Sequence, residues 1–174
     1  MEELKFPIGK FQMPSEYTEA SRAEYIQVLA ELPMKLKEVL AGVKTEQLSN
    51  RYRPEAWTIR QVVHHLADSH MNSLIRFKLG LTEEHPTIKP YNENLWANLV
   101  DANNDDLNPS LLIIEGVHAR LVSMLKNVSG DEWERKIQHP ESKRDMSMNF
   151  LLALYAWHSK HHLAHIKNAL ANPY

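Results

Sequence analysis

Most of this 174-residue chain repeats its apolar residues at helical spacing, and glycine, which punctuates such runs, occurs only five times. Tyr25, Ile26, Leu29, Leu32, Leu36 and Leu40 mark a first helix that starts after Ser15 and runs to about Ala41. Pro33 lies inside it and removes a backbone donor, so a kink or a junction is expected there. Thr58-Ile59-Arg60-Gln61 fits a capping box that opens a second helix, from about Ile59 to Leu81. Asn108-Pro109 opens a third, with Leu111, Ile114, Val117, Leu121 and Leu125 on one stripe to about Val128. A fourth runs from about Met148 to Ala171. Residues 1–14, with Pro7, Gly9 and Pro14, read as an extended arm. Residues 82–92 read as a loop and Glu93 to Val100 as a short helix. Between Gly130 and Met146 the chain looks irregular, with room for a short helix and a hairpin. The expectation is an all-α single domain over residues 1–174, a four-helix bundle whose long second connection allows non-sequential packing.

Composition narrows the function. Net charge is −2 with no basic stripe, which argues against nucleic acid as a partner. The longest apolar run, Phe150 to Trp157, is well short of the ~18 residues of a membrane span. Glu2, Glu3 and Lys5 precede any apolar stretch, so no secretory signal is expected and a cytoplasmic setting is the default. Without cysteine, thiolate is not among the available metal ligands.

Histidine remains. Seven of the ten histidines fall in two short stretches, His64-His65-Leu66-Ala67-Asp68-Ser69-His70 and Trp157-His158-Ser159-Lys160-His161-His162-Leu163-Ala164-His165. Imidazole is the commonest metal-binding side chain, and two histidines one helical turn apart can share an ion. His158, His161, His162 and His165 fall within one arc of roughly a hundred degrees. The pairs His158/His162 and His161/His165 are both spaced i,i+4, and spacing does not choose between them. His64 and His65 diverge by ~100°, so at most one faces a given ion. His65 lies nearly opposite the apolar stripe of Val63, Leu66, Ala67, Leu74 and Phe77, so as a ligand it requires a helix covered on both sides. The competing reading is a solvated polar face; the coincidence of two clusters favours metal. His85, His118 and His139 read as ordinary surface or hydrogen-bonded core residues. The zincin glutamate of H-E-x-x-H is missing, and neither Ser69 nor Ser159 sits in a G-x-S-x-G elbow.

The stretch Trp57 to Asn72, together with Ile75-Arg76-Phe77-Lys78-Leu79, Pro90-Tyr91, Trp157 to Ile166 and the amino-terminal Phe6-Pro7-Ile8-Gly9, closely resembles the YfiT group of proposed metal-dependent hydrolases. That group belongs to the DinB-like four-helix-bundle superfamily. The resemblance covers nearly the whole chain. It implies that the ligands are His65, the histidine before Leu-Ala-Asp, and His158 and His162, the outer pair of an H-x-x-x-H that follows tryptophan. It also implies a cytoplasmic homodimer with one divalent ion per chain, zinc first and nickel second.

Three imidazoles leave a coordination position open, as catalytic zinc sites do. The favoured reading is a hydrolase in which metal-bound water attacks a small-molecule substrate. One alternative is an S-transferase that activates a low-molecular-weight thiol, as relatives using bacillithiol or mycothiol do. The other is a non-catalytic metal-binding stress protein. Asp68, one turn after His65, is the candidate proton acceptor or hydrogen-bond partner of a ligand. Asn72 and Arg76 are candidates for shaping the substrate pocket or holding an anionic group, and Tyr91 and Trp96 for closing over it.

Overall fold

Threonine at position 58 takes extended backbone, its side chain accepts a hydrogen bond from the Gln61 amide, and the Gln61 side chain accepts one from the Thr58 amide at 3.0 Å. This closed box starts the helix that carries the first histidine cluster. The Gln61 side-chain amide also donates to the Ala97 carbonyl at 2.8 Å, which ties the helix start to the connection that follows it. Removal of the capping hydroxyl in Thr58→Ala is expected to cost about 1 kcal/mol, seen as a lower urea midpoint at unchanged slope.

In the computed structural model, which describes residues 2–140 and 144–174, six α-helices occur in the order α1 (Glu2–Lys5), α2 (Glu19–Leu40), α3 (Ile59–Thr82), α4 (Glu93–Trp96), α5 (Asn108–Leu125) and α6 (Met148–Ala171). A hairpin of β1 (Lys136–His139) and β2 (Arg144–Ser147), paired antiparallel, leads into α6. Thr18 caps α2 and Ser147 caps α6 through their hydroxyls. The arm is not wholly extended: residues 2–5 form one helical turn, with Glu2 and Glu3 at its positive end and Lys5 at its negative end. Pro33 lies within α2, which continues unbroken from Glu19 to Leu40. The expected helix over residues 93–100 shortens to Glu93–Trp96, capped by Asn92, with a separate 3-10 turn at Asp101–Asn103.

Helix α2 packs on α5 and α6, and α3 packs on the same two. The order around the bundle is therefore α2, α6, α3, α5. Consecutive helices α2 and α3 lie diagonally across it, the non-sequential order that the long connections permit. No helix among the described residues is long and apolar enough to cross a membrane.

The apolar core comes in two parts. One gathers Leu29, Leu74, Phe77, Leu121, Leu125 and Leu151; the other gathers Leu32, Leu36, Leu66, Ile114, Leu163 and Ile166. On each long helix a single step crosses from one part to the other: between Leu29 and Leu32, Ala67 and Leu74, Ile114 and Leu121, Tyr155 and Leu163. His70, His118 and His158 occupy this step on α3, α5 and α6. The waist of the bundle is a layer of imidazoles between two apolar halves.

Candidate metal centre

Helix α3 is buried on nearly every side, because α5, α6 and the 3-10 turns before and after it all pack against it. This cover answers the difficulty that its one apolar stripe posed. His65, which a one-sided helix would leave in water, is 4 % exposed, with the Trp57 ring 4.7 Å away. Its neighbour His64 turns the other way, to the Ser110 hydroxyl at 2.7 Å and the Asn104 carbonyl at 2.9 Å. These bonds fasten α3 to α5 and take His64 out of the metal question.

His65 Nε2 and His158 Nε2 stand 3.2 Å apart. His162 joins them, its ring centroid 4.8 Å from that of His65 and 4.4 Å from that of His158, and one nitrogen from each of the three falls within 4.8 Å of the others. A second trio, His161, His162 and His165, meets the same distance limit. Within it His162 Nδ1 and His165 Nδ1 are 3.4 Å apart, His165 Nε2 donates to the Lys5 carbonyl at 3.1 Å, and His161 Nδ1 is buried without a partner.

Both trios line a cavity of about 480 Å³. The amino-terminal arm lies across it: Phe6 stacks on His161, and Trp157 Nε1 donates to the Gly9 carbonyl at 3.2 Å. Burial strips these rings of the water that would stabilise an imidazolium. Desolvation, with a smaller contribution from His161, lowers the pKa of His65 to about 4; desolvation alone takes His161 to about 4. His165 falls to about 3, first from desolvation and then from His161. His158 is held well below the ordinary value by desolvation and then by His65, and His162 by desolvation and then by His158. All present neutral, lone-pair-bearing rings at neutral pH, the form that metals bind.

Behind His158 and Glu93 lies a second cavity of about 220 Å³, lined by Ser69, Arg76, Tyr91 and Tyr155 among others. Arg76 Nη1 donates to the Tyr155 hydroxyl at 3.1 Å, while its Nε is buried without a partner. Desolvation raises the Tyr91 phenol to about 12. Of the other expected pocket residues, Trp96 packs on Tyr91 with centroids 4.4 Å apart and does not line either cavity, and Asn72 bonds the Asp68 carbonyl. Asp68 is also placed elsewhere. It lines neither cavity, and its carboxyl is raised by desolvation and then by Asp101.

The carboxylate that does line both cavities is Glu93, at the exposed rim on α4, with its pKa raised by desolvation. Sequence reasoning did not single it out, since no periodicity connects a four-residue helix in a long connection with histidines on α3 and α6. His118, read as an ordinary histidine, is the other omission. Its place on the α5 stripe, four residues after Ile114 and three before Leu121, was the available signal of burial.

A four-helix bundle that gathers histidines from α3 and α6 around one cavity has the arrangement in which the metal sites of such bundles are built, from side chains on facing helices. Residues 18–166 match the DinB superfamily, and the chain belongs to it. It is 44% identical over 163 residues to YfiT of Bacillus subtilis (strain 168), covering 94% of this chain and 92% of YfiT, a protein provisionally named a metal-dependent hydrolase. A relative from Oceanobacillus iheyensis with the same provisional name is 48% identical over 162 residues, covering 93% of each chain. The solved structure of YfiT, described as a probable metal-dependent hydrolase with an unusual four-helix-bundle topology, superposes with a TM-score of 0.92 at 43% identity, covering 95% of this chain and 94% of that one.

Proposed function

We propose that this protein is a metal-dependent hydrolase of small molecules, with His65, His158 and His162 holding one divalent ion, zinc first and nickel second. The observation that carries the ligand set is the 3.2 Å between His65 Nε2 and His158 Nε2. Two nitrogens ~2.0–2.1 Å from a tetrahedral ion are separated by ~3.3 Å, so the pair already stands at one edge of such a site. The second trio fits less well, because it needs the adjacent His161 and His162, whose side chains leave the helix ~100° apart, to converge on one point.

When bound, the ion supplies Lewis acidity, which acidifies water and polarises a carbonyl or similar electrophile. The chain's own residues do the rest. His158 and His162 have their Nδ1 atoms engaged by His70 and His165, which fixes how each ring faces the cavity. Phe6 and Trp57 limit the access of bulk water. Glu93 is the carboxylate in position to take or return a proton at the rim. The unpartnered edge of Arg76 in the adjoining cavity is in place to receive the far end of a substrate.

Elemental analysis of untagged protein, followed by turnover assays with and without added thiol, tests this. About one ion per chain and hydrolysis in water alone are expected. Turnover only with thiol would move the protein to the S-transferase reading, and a stoichiometric metal with no turnover in either assay would favour a non-catalytic role. The homodimer and cytoplasmic setting that the resemblance implies belong to this proposal, and light scattering on the purified protein checks the dimer.

A further inference from the structure

The imidazole layer at the waist forms one continuous hydrogen-bonded chain. His118 Nδ1 is 2.6 Å from the Leu29 carbonyl oxygen, His118 Nε2 is 2.9 Å from His70 Nδ1, and His70 Nε2 is 3.3 Å from His158 Nδ1. Its members come one from each long helix: Leu29 on α2, His118 on α5, His70 on α3 and His158 on α6. His70 is fully buried and His118 is 1 % exposed. Neither makes an ion pair with a carboxylate among the described residues, so a charge on either would be buried and uncompensated.

The direction of this chain follows from the chemistry of its end. A carbonyl oxygen only accepts, so His118 Nδ1 carries the proton. The neutral ring then has a bare Nε2, which accepts from His70 Nδ1–H. His70 in turn has a bare Nε2, which accepts from His158 Nδ1–H. That leaves His158 Nε2 without a proton, at the cavity, 3.2 Å from His65 Nε2.

We propose that His118 and His70 are positioning residues: a one-directional relay from the Leu29 carbonyl locks His158 as its Nδ1–H tautomer, so that a lone pair always faces the metal cavity. The same device recurs on the other side. The Lys5 carbonyl takes the Nε2–H of His165, the bare His165 Nδ1 faces His162 Nδ1 at 3.4 Å, and the proton between them therefore belongs to His162, whose Nε2 is left for the cavity. A free histidine divides its proton between two nitrogens, and a ligand ring must be held in one tautomer and one orientation to bind well. Here that role, which a carboxylate or backbone carbonyl usually performs directly, passes through a second and a third imidazole.

The link to metal affinity rests on the proposed ligand set, whereas the tautomers do not. The test is a long-range proton–nitrogen correlation spectrum of metal-free protein labelled with ¹⁵N at histidine, together with zinc affinity by chelator competition. In the native protein His118, His70 and His158 are each expected as Nδ1–H. His118→Leu removes the acceptor for His70, and the relay then loses its direction: mixed tautomers at His70 and His158 and roughly 10- to 100-fold weaker zinc binding are expected. His118→Gln keeps an oxygen for His70 Nδ1–H and is expected to restore both readouts toward native. An Nε2–H proton on His158 in the native protein, a measurement that needs no variant to fold, overturns the proposal, as does a folded His118→Leu with native tautomers and native zinc affinity. Expected tautomers in a native protein that takes up no zinc would leave the relay standing and bring down the ligand set instead.

Discussion

His158→Ala is expected to empty the metal site while the protein stays helical. His158 stands at the centre of the arrangement: its Nε2 faces His65, its Nδ1 faces His70, and its ring is 4.4 Å from that of His162. Zinc binding at structural sites is worth ~10–16 kcal/mol spread over four ligands. Removing one imidazole therefore forfeits about 2.5–4 kcal/mol, roughly 60- to 700-fold in affinity, and the lost ring leaves His65 without the partner that completes the edge. The fold survives because the two apolar halves of the core, above and below the waist, do not depend on the ion. His161→Ala is the informative companion. It removes a member of the second trio and four ring contacts, with Phe6, Trp157, His162 and His165, and is expected to retain stoichiometric zinc. Zinc by mass spectrometry under native conditions, with far-ultraviolet circular dichroism as the control for folding, reads both variants. Metal that survives His158→Ala but disappears in His161→Ala would transfer the site to His161, His162 and His165.

Much of this was legible in the chain because helices announce themselves through spacing. The start of α3 was readable to the residue, since a capping box is a local matter of two side chains and two backbone amides. The four long helices and the route around the second connection followed from apolar stripes and from where proline and glycine fall. The choice between His158/His162 and His161/His165 did not follow, and the structure shows why: all four rings line one cavity, and both trios satisfy the same distances. What separates them is which nitrogen of each ring is already engaged, and that depends on Leu29, His118 and Lys5, more than a hundred residues away in two of the three cases. His65 posed the converse difficulty. Its position opposite the apolar stripe looked like a solvated face, because a helical wheel sees only the helix's own residues, whereas α6, Trp57 and the arm supply the missing wall.

The metal-free protein is expected to lose its stability sharply between about pH 6 and pH 5, above the range in which carboxylates usually cause acid unfolding. In the unfolded chain each histidine takes up its proton near pH 6.5. In the folded protein burial lowers His65, His118 and His161 to about 4 and His165 to about 3, with His70, His158 and His162 also well below the ordinary value. Between those values the unfolded chain binds more protons than the native one, so stability is complete above about pH 6.5 and falls as the pH is lowered toward 4. Each ring contributes about 1.4 kcal/mol per pH unit, and seven together approach ~10 kcal/mol per unit, comparable to the whole ~5–15 kcal/mol of an ordinary domain. A bound ion competes for the same lone pairs: zinc at a thousand times its Kd adds ~4 kcal/mol and is expected to move the acid midpoint down by roughly half a pH unit. Urea midpoints in half-unit steps from pH 7.5 to 5, with chelator and with saturating zinc, measure both effects. A midpoint unchanged from pH 7 to 5 in the chelated protein would mean that these rings are hydrated or already charged in the folded state. The same burial that keeps the lone pairs available for a metal leaves the empty bundle exposed to mild acid, so metal affinity and acid lability should decline together in variants that admit water to the waist.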